Sequence, residues 1–160
     1  MVTLPVATKI MVQMRRCTTA RQFFKVLGGP VREPIVDVQF CEGGDIYKAC
    51  VDTGAPFTTA PEEIADLAGI AIPSDALQVP LGGYGTGVAD GRLVYCSVWL
   101  NMTVPLHDFA VVFTKDPAYK GVLLGQHNLL QNFSLIHENH EPDSLFALVS
   151  PQAPRLARGL

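Results

Sequence analysis

From Pro34 onward the apolar and polar positions fall into short alternating runs, the period of strands with one face buried. Val36, Val38 and Phe40 alternate with Asp37 and Gln39. Glu42-Gly43-Gly44-Asp45 supplies turn residues, and Ile46 to Val51 returns as the second strand of a hairpin. Arg92 to Leu100 sets Leu93, Tyr95, Ser97 and Trp99 on one face and Val94, Cys96, Val98 and Leu100 on the other. Phe109 to Phe113, Gly121 to Gly125, Ser134 to His137 and Leu145 to Val149 predict further short strands. Helical spacing is confined to short stretches. In Thr59 to Gly69, Ile64, Leu67 and Ala68 share a face; Thr58 or Thr59 suits the cap, Pro61, Glu62 and Glu63 suit the first turn, and Gly69 is the stop. Asn128 to Phe133 fits a helical turn or two, and Thr19 to Leu27 a short helix ended by Gly28-Gly29-Pro30. Residues 72–90 are rich in Gly and Pro, and Leu81 to Gly87 predicts a flexible hairpin tip or loop.

Composition narrows the picture. A chain of 160 residues is one ordinary domain. The pattern divides it into an N-terminal extension of uncertain structure (1–33), a β domain (34–150) and a C-terminal tail (151–160). Fourteen Gly and twelve Pro favour many turns and short strands. The net charge of −3 is the wrong sign for a nucleic-acid module, so no nucleic-acid partner is expected. No run approaches the ~18 consecutive apolar residues of a membrane span. Arg15 and Arg16 follow the N-terminal apolar stretch instead of preceding it, the wrong order for a secretory signal, so the expected location is cytoplasmic. Cys17, Cys41, Cys50 and Cys96 form no C-x-x-C pair and are expected to be reduced, mostly buried thiols.

One constellation ties residue types to a reaction. Asp52-Thr53-Gly54-Ala55 follows the apolar strand end Cys50-Val51. When two carboxylates share a partly desolvated site they cannot easily both ionise, and the pair titrates as a unit. The charged member can take a proton from water while the protonated one donates to a peptide carbonyl. Glycine at position 54 permits close backbone approach. The bland alternative is that Asp52 only caps a turn.

Asp52-Thr53-Gly54-Ala55, flanked by Ala49-Cys50-Val51 and followed much later by Val122-Leu123-Leu124-Gly125 and Gln126-His127-Asn128-Leu129-Leu130, resembles the retropepsin-like aspartic proteases, of the single-domain bacterial or cellular type. The resemblance covers roughly Pro34 to Val149. It implies an all-β, closed-barrel half-domain with one or two short helices, working as a homodimer. It further implies an aspartic endopeptidase that hydrolyses peptide bonds with a water held between the Asp52 carboxylates of two copies, without a metal or other cofactor. No second Asp-Thr-Gly exists: Asp90-Gly91 lacks the hydroxyl residue and Asp116-Pro117 lacks the glycine. By resemblance the catalytic set is Asp52, Thr53 and Gly54. Thr53 would bond across the two-fold axis and Gly54 would meet the substrate backbone. Ala55, Gly83, Tyr84, Gly85 and Leu124 would bind substrate, an extended polypeptide, with Gly82 to Gly87 as the flap. The viral members carry an acid just after this motif and an arginine just after the second glycine, which pair. Here Pro56 and Gln126 stand there, so both partners are absent together.

Other chemistries fit less well. His137-Glu138-Asn139-His140 is one residue short of the helical zinc-protease spacing and follows a β pattern. His107, His127, His137 and His140 are expected to be exposed. A Cys-His nucleophile built on Cys50 or Cys96 would use thiols in apolar strands, where they are normally inert. Two alternatives in function stay open: a retropepsin-fold module that binds peptides or proteins without cutting, and a protease limited to self-processing. Cleavage specificity, working pH and the role of residues 1–33 are not encoded in any motif.

Overall fold

The computed structural model describes residues 9–11, 13–16, 32–82, 89–138 and 145–149. In chain order these form β1 (Lys9–Met11), β2 (Gln13–Arg16), β3 (Arg32–Gln39), β4 (Tyr47–Val51), β5 (Thr58–Pro61), α1 (Glu62–Ala68), β6 (Gln78–Leu81), β7 (Ala89–Leu100), β8 (Val104–Thr114), β9 (Val122–Leu124), β10 (Ser134–Glu138) and β11 (Leu145–Val149). The larger sheet runs β2-β3-β4-β9-β5-β8-β7-β6. A further pairing of β3 with β7, Val38 to Leu100 and Gln39 to Trp99, closes the six strands from β3 to β7 into a barrel. Closure removes the open edges that a flat sheet would expose. The smaller sheet is β1-β11-β10.

The alternation predicted from Val36 onward is what fills the barrel. Val36 and Val38 from β3, Ala49 and Val51 from β4, Val122 and Leu124 from β9, Val94 from β7 and Val111 and Phe113 from β8 all turn inward into one buried cluster. Phe109 and Phe113 are among its largest fully buried side chains. Burying each such aromatic contributes roughly 1.5–3 kcal/mol. The Ile46–Val51 return pairs antiparallel with β3 as expected, from Ile35–Cys50 to Val38–Tyr47.

The structure differs from the sequence reading where strand pairing across the chain overrides local propensity. The helix is shorter than expected. Thr58 to Pro61 is strand β5, held by β8 on one side and β9 on the other, so neither threonine caps the helix. The stop is as expected. Gly69 has φ of 69°, and Gly69 N–H and Ile70 N–H donate to the carbonyls of Asp66 and Ala65 in a Schellman-type end. The strands at 92–100 and 109–113 are the middle of one long hairpin, β7–β8. Its turn places Asn101 and Met102 at positive φ without any glycine, and a bulge sits between Cys96 and Val98. Asn128 to Phe133 makes helical turns: Leu130 N–H donates to Gln126 and Phe133 N–H to Leu129. Strands β1 and β2 lie in the stretch that sequence left unread and pair with β11 and β3. The helix proposed for Thr19 to Leu27 lies outside the described residues.

The first residue of α1 ties the helix to the barrel. Glu62 Oε1 accepts from Arg92 on β7 at 2.6 Å and faces Lys115 Nζ at 3.3 Å. Burial pushes this carboxyl upward, but hydrogen bonds and charge from Arg92 and Lys115 outweigh it and hold the group below its ordinary value. A carboxylate lowered in the folded chain stabilises the fold above its unfolded-state value, and that contribution is lost as pH falls through the folded value. Glu62→Gln should therefore cost about 1–3 kcal/mol at neutral pH. The gap in melting temperature between the two proteins should narrow as pH falls below the ordinary glutamate range and close once it passes the lowered folded value. A gap of the same size in acid and at neutral pH would contradict this.

Candidate active site

Strands β4 and β9 run parallel, with Val51 opposite Leu124, so both chains leave the sheet at the same end. Strand β9 lies between β4 and β5. The chain therefore has to pass over the end of β9 as it travels from β4 to β5, and residues 52–57 are that passage. The outgoing end of β9 crosses beneath it at Gly125. A Cβ there would lie 2.3 Å from both the carbonyl carbon and oxygen of Phe57 and 2.8 Å from Thr58 N. Only a residue without a side chain fits the crossing.

Hydrogen bonds lace the two segments together. Asp52 N–H donates to the Leu124 carbonyl at 3.0 Å. Gln126 N–H and His127 N–H donate to the carbonyls of Ala55 and Pro56, each at 2.9 Å. Gly125 N–H donates to the hydroxyl of Thr58 at 3.1 Å in a buried bond. The side-chain amide of Gln126 donates to the Thr53 carbonyl. The passage also holds itself: Ala55 N–H donates to the Asp52 carbonyl at 3.3 Å, and Gly54 N–H donates to Asp52 Oδ1 at 2.8 Å. Among the described residues that is the only donor to the carboxylate, which is half-buried. Thr53 and Gly54 are exposed beside it.

The fold thus brings Asp52, Thr53, Gly54 and Ala55 together with Leu124. Leu124, expected to bind substrate, has its side chain fully buried in the barrel core. The core-facing register of β9 puts it there, so its carbonyl alone reaches the loop. Gly83, Tyr84 and Gly85 lie outside the described residues; the strands that flank them, β6 and β7, pair as far as Leu81 and Ala89. Sequence reading missed Phe57 and Thr58. Phe57 packs with Leu81, Ala89 and Val112 at the base of that hairpin and meets the His127 ring at 5.5 Å, so the Asp52 loop and the hairpin share one apolar cluster. A half-buried aromatic and a threonine carry no periodic signal; only the pairing of β5 with β9 reveals their roles.

Other candidate groups sit elsewhere. Burial pushes the Cys96 thiol up to about 12, so it stays protonated near neutral pH and is a poor nucleophile. His107, exposed as expected, shares a 3.0 Å hydrogen bond with Ser97. His127 is half-buried against Phe57, contrary to the expectation of exposure. The side chains of His137 and His140 lie outside the described residues. Among the described residues no helix is long and apolar enough to cross a membrane.

No protein-family model matches the chain, and no curated protein matches it by sequence. The structure is similar to the crystal structure of a retropepsin-like aspartic protease from Rickettsia conorii, with a TM-score of 0.59 over 94% of this chain and 96% of that one. Sequence identity is 14%, so the likeness is one of fold. The chain has a retropepsin-like all-β fold, as its motifs led one to expect.

Gly125→Ala would force a methyl into the Phe57–Thr58 backbone, which cannot yield as a flexible side chain can. The expected cost is about 3 kcal/mol or more, read as a large drop in the denaturant midpoint. A change below about 1 kcal/mol would mean that the crossing is looser than described.

Proposed function

We propose that the chain is an aspartic endopeptidase whose site is completed by a second copy, with the two Asp52 carboxylates facing one water across a two-fold axis. The observation that carries this reading is the local geometry of Asp52. The residue ends an apolar strand on a passage fixed at both ends, and its carboxylate is half-buried with a single described donor, Gly54 N–H on Oδ1. A carboxylate so held is preorganised and keeps acceptor capacity for a water or a second carboxylate. The exposed Thr53 and Gly54 supply a surface at the same place for a symmetry mate. The fold similarity to a retropepsin-like aspartic protease supports the same assignment.

In this reading the paired carboxylates hold one proton between them. The ionised one takes a proton from the bridging water as it attacks the scissile carbonyl. The protonated one donates to the carbonyl oxygen, giving a neutral tetrahedral diol. Collapse of the diol returns a proton to the leaving amine and frees the new carboxyl group. No metal is assigned a role. The substrate is an extended polypeptide that adds its backbone as a strand, held against the Asp52 loop by Gly83, Tyr84 and Gly85. Ala55, half-buried beside the loop, borders a side-chain subsite. The site works in the cytoplasm, on proteins in solution.

Asp52→Asn keeps the size of the side chain and removes its ability to take a proton. Cleavage of a peptide library should fall by about 10³-fold or more, with the far-ultraviolet spectrum and melting temperature close to those of the parent. Cleavage that persists undiminished in the Asn variant would rule out the mechanism.

A further inference from the structure

The Gly54 N–H that donates to Asp52 Oδ1 belongs to the peptide unit whose carbonyl is that of Thr53. That carbonyl accepts from the side-chain amide of Gln126. A peptide unit is planar, so fixing its oxygen fixes the direction of its hydrogen. The geometry points to Gln126 as a positioning residue for the Asp52 carboxylate, acting through the Thr53–Gly54 peptide plane. This rests on the assignment of Asp52 as the catalytic acid–base.

The bracket around this plane has two parts. Gln126 N–H and His127 N–H reach Ala55 and Pro56 through backbone, bonds that any residue except proline would make at those positions. The bond to Thr53 alone depends on the side chain at 126. Among the described residues it is also the only one that acts on the peptide unit touching the carboxylate. Hydrogen bonds in series polarise one another, so donation to the Thr53 oxygen makes the Gly54 N–H a better donor. Pro56 carries no charged group and Gln126 is neutral, so the side-chain contact between these two segments does not depend on an ion pair. The titratable side chains at this bracket are Asp52 and His127.

The test compares substitutions at 126 that differ in donor capacity. Gln126→Met matches the length and cannot donate; kcat/KM should fall about three- to tenfold at every pH. Gln126→Arg keeps a donor and should stay within about threefold of the parent. Gln126→Glu opposes the Thr53 carbonyl when ionised and donates to it when protonated. Its activity relative to the parent at the same pH should fall like that of the Met variant at neutral pH and recover below about pH 4. Because this reversal occurs within one protein, loss of fold does not mimic it. Exchange of the Gly54 amide is the readout independent of catalysis. It should be faster in Gln126→Met, and faster in Gln126→Glu at neutral pH than in acid once intrinsic rates are divided out. If the parent shows no Asp52-dependent cleavage, the proposed function fails, and the exchange data still decide the role of Gln126. Equal Gly54 protection in all variants, or a Gln126→Glu activity ratio that is flat with pH, would overturn it.

Discussion

Two stretches of backbone cross at Gly125, and a single hydrogen atom in place of a side chain leaves room for them to do so. The passage from β4 to β5 goes over the end of β9 because β9 is inserted between those strands. Phe57 and Thr58 press on Gly125 from above. The parallel pairing of Val51 with Leu124 brings the two strand ends level. From that contact follow the position of Asp52 at the start of the passage, the donation of its N–H to Leu124, and the buried bond from Gly125 to the Thr58 hydroxyl. The barrel core holds the crossing from below. Val51, Val122 and Leu124 all end in it, so the two strands that lead into the crossing are packed in the core.

Much of this was legible in the sequence, and the limits of legibility are physical. Alternation showed the strands because a closed barrel buries one face of each and leaves the other polar or covered. Gly69 could be read as a helix stop because its backbone needs a positive φ. The start of α1 could not be read. Thr58 and Thr59 look like caps by composition, yet two neighbouring strands claim their backbone first. The β7–β8 hairpin was split because Pro105, His107 and Asp108 break the alternation at a bulge that only strand register makes visible. At the site, Asp52 to Ala55 stood out as a motif. Phe57 and the hydroxyl of Thr58 did not, and Gln126 was noticed only for its place after Gly125, since their roles depend on contacts across 67 or 73 residues of chain or on the hairpin base. Leu124 was expected to bind substrate, but the face of β9 it occupies sends its side chain into the core.

The bracket around the Asp52 loop is built almost wholly from backbone groups and one neutral amide. Positions 56 and 126, where the resemblance to the viral enzymes would set a paired acid and arginine, are Pro and Gln. In the fold, both residues still take part in joining the two segments, Pro56 through its carbonyl and Gln126 through its backbone and side chain. Neutral bonds of this kind are little affected by salt, in contrast to exposed ion pairs. The described ion pairs serve other joints: Glu62 with Arg92 and Lys115 ties the helix to the barrel, and Lys48 with Asp37 joins β4 to β3.

The central claim is that each copy supplies half of a site. Mixing tests it directly: cleavage is measured at a fixed amount of parent protein while an equal amount of Asp52→Asn protein is added and the subunits are allowed to exchange. If two copies share one dyad, random pairing leaves about half of the parent subunits in intact sites, and activity falls to about half. If each chain carries a complete site, or if activity does not involve pairing, the added variant leaves the rate unchanged.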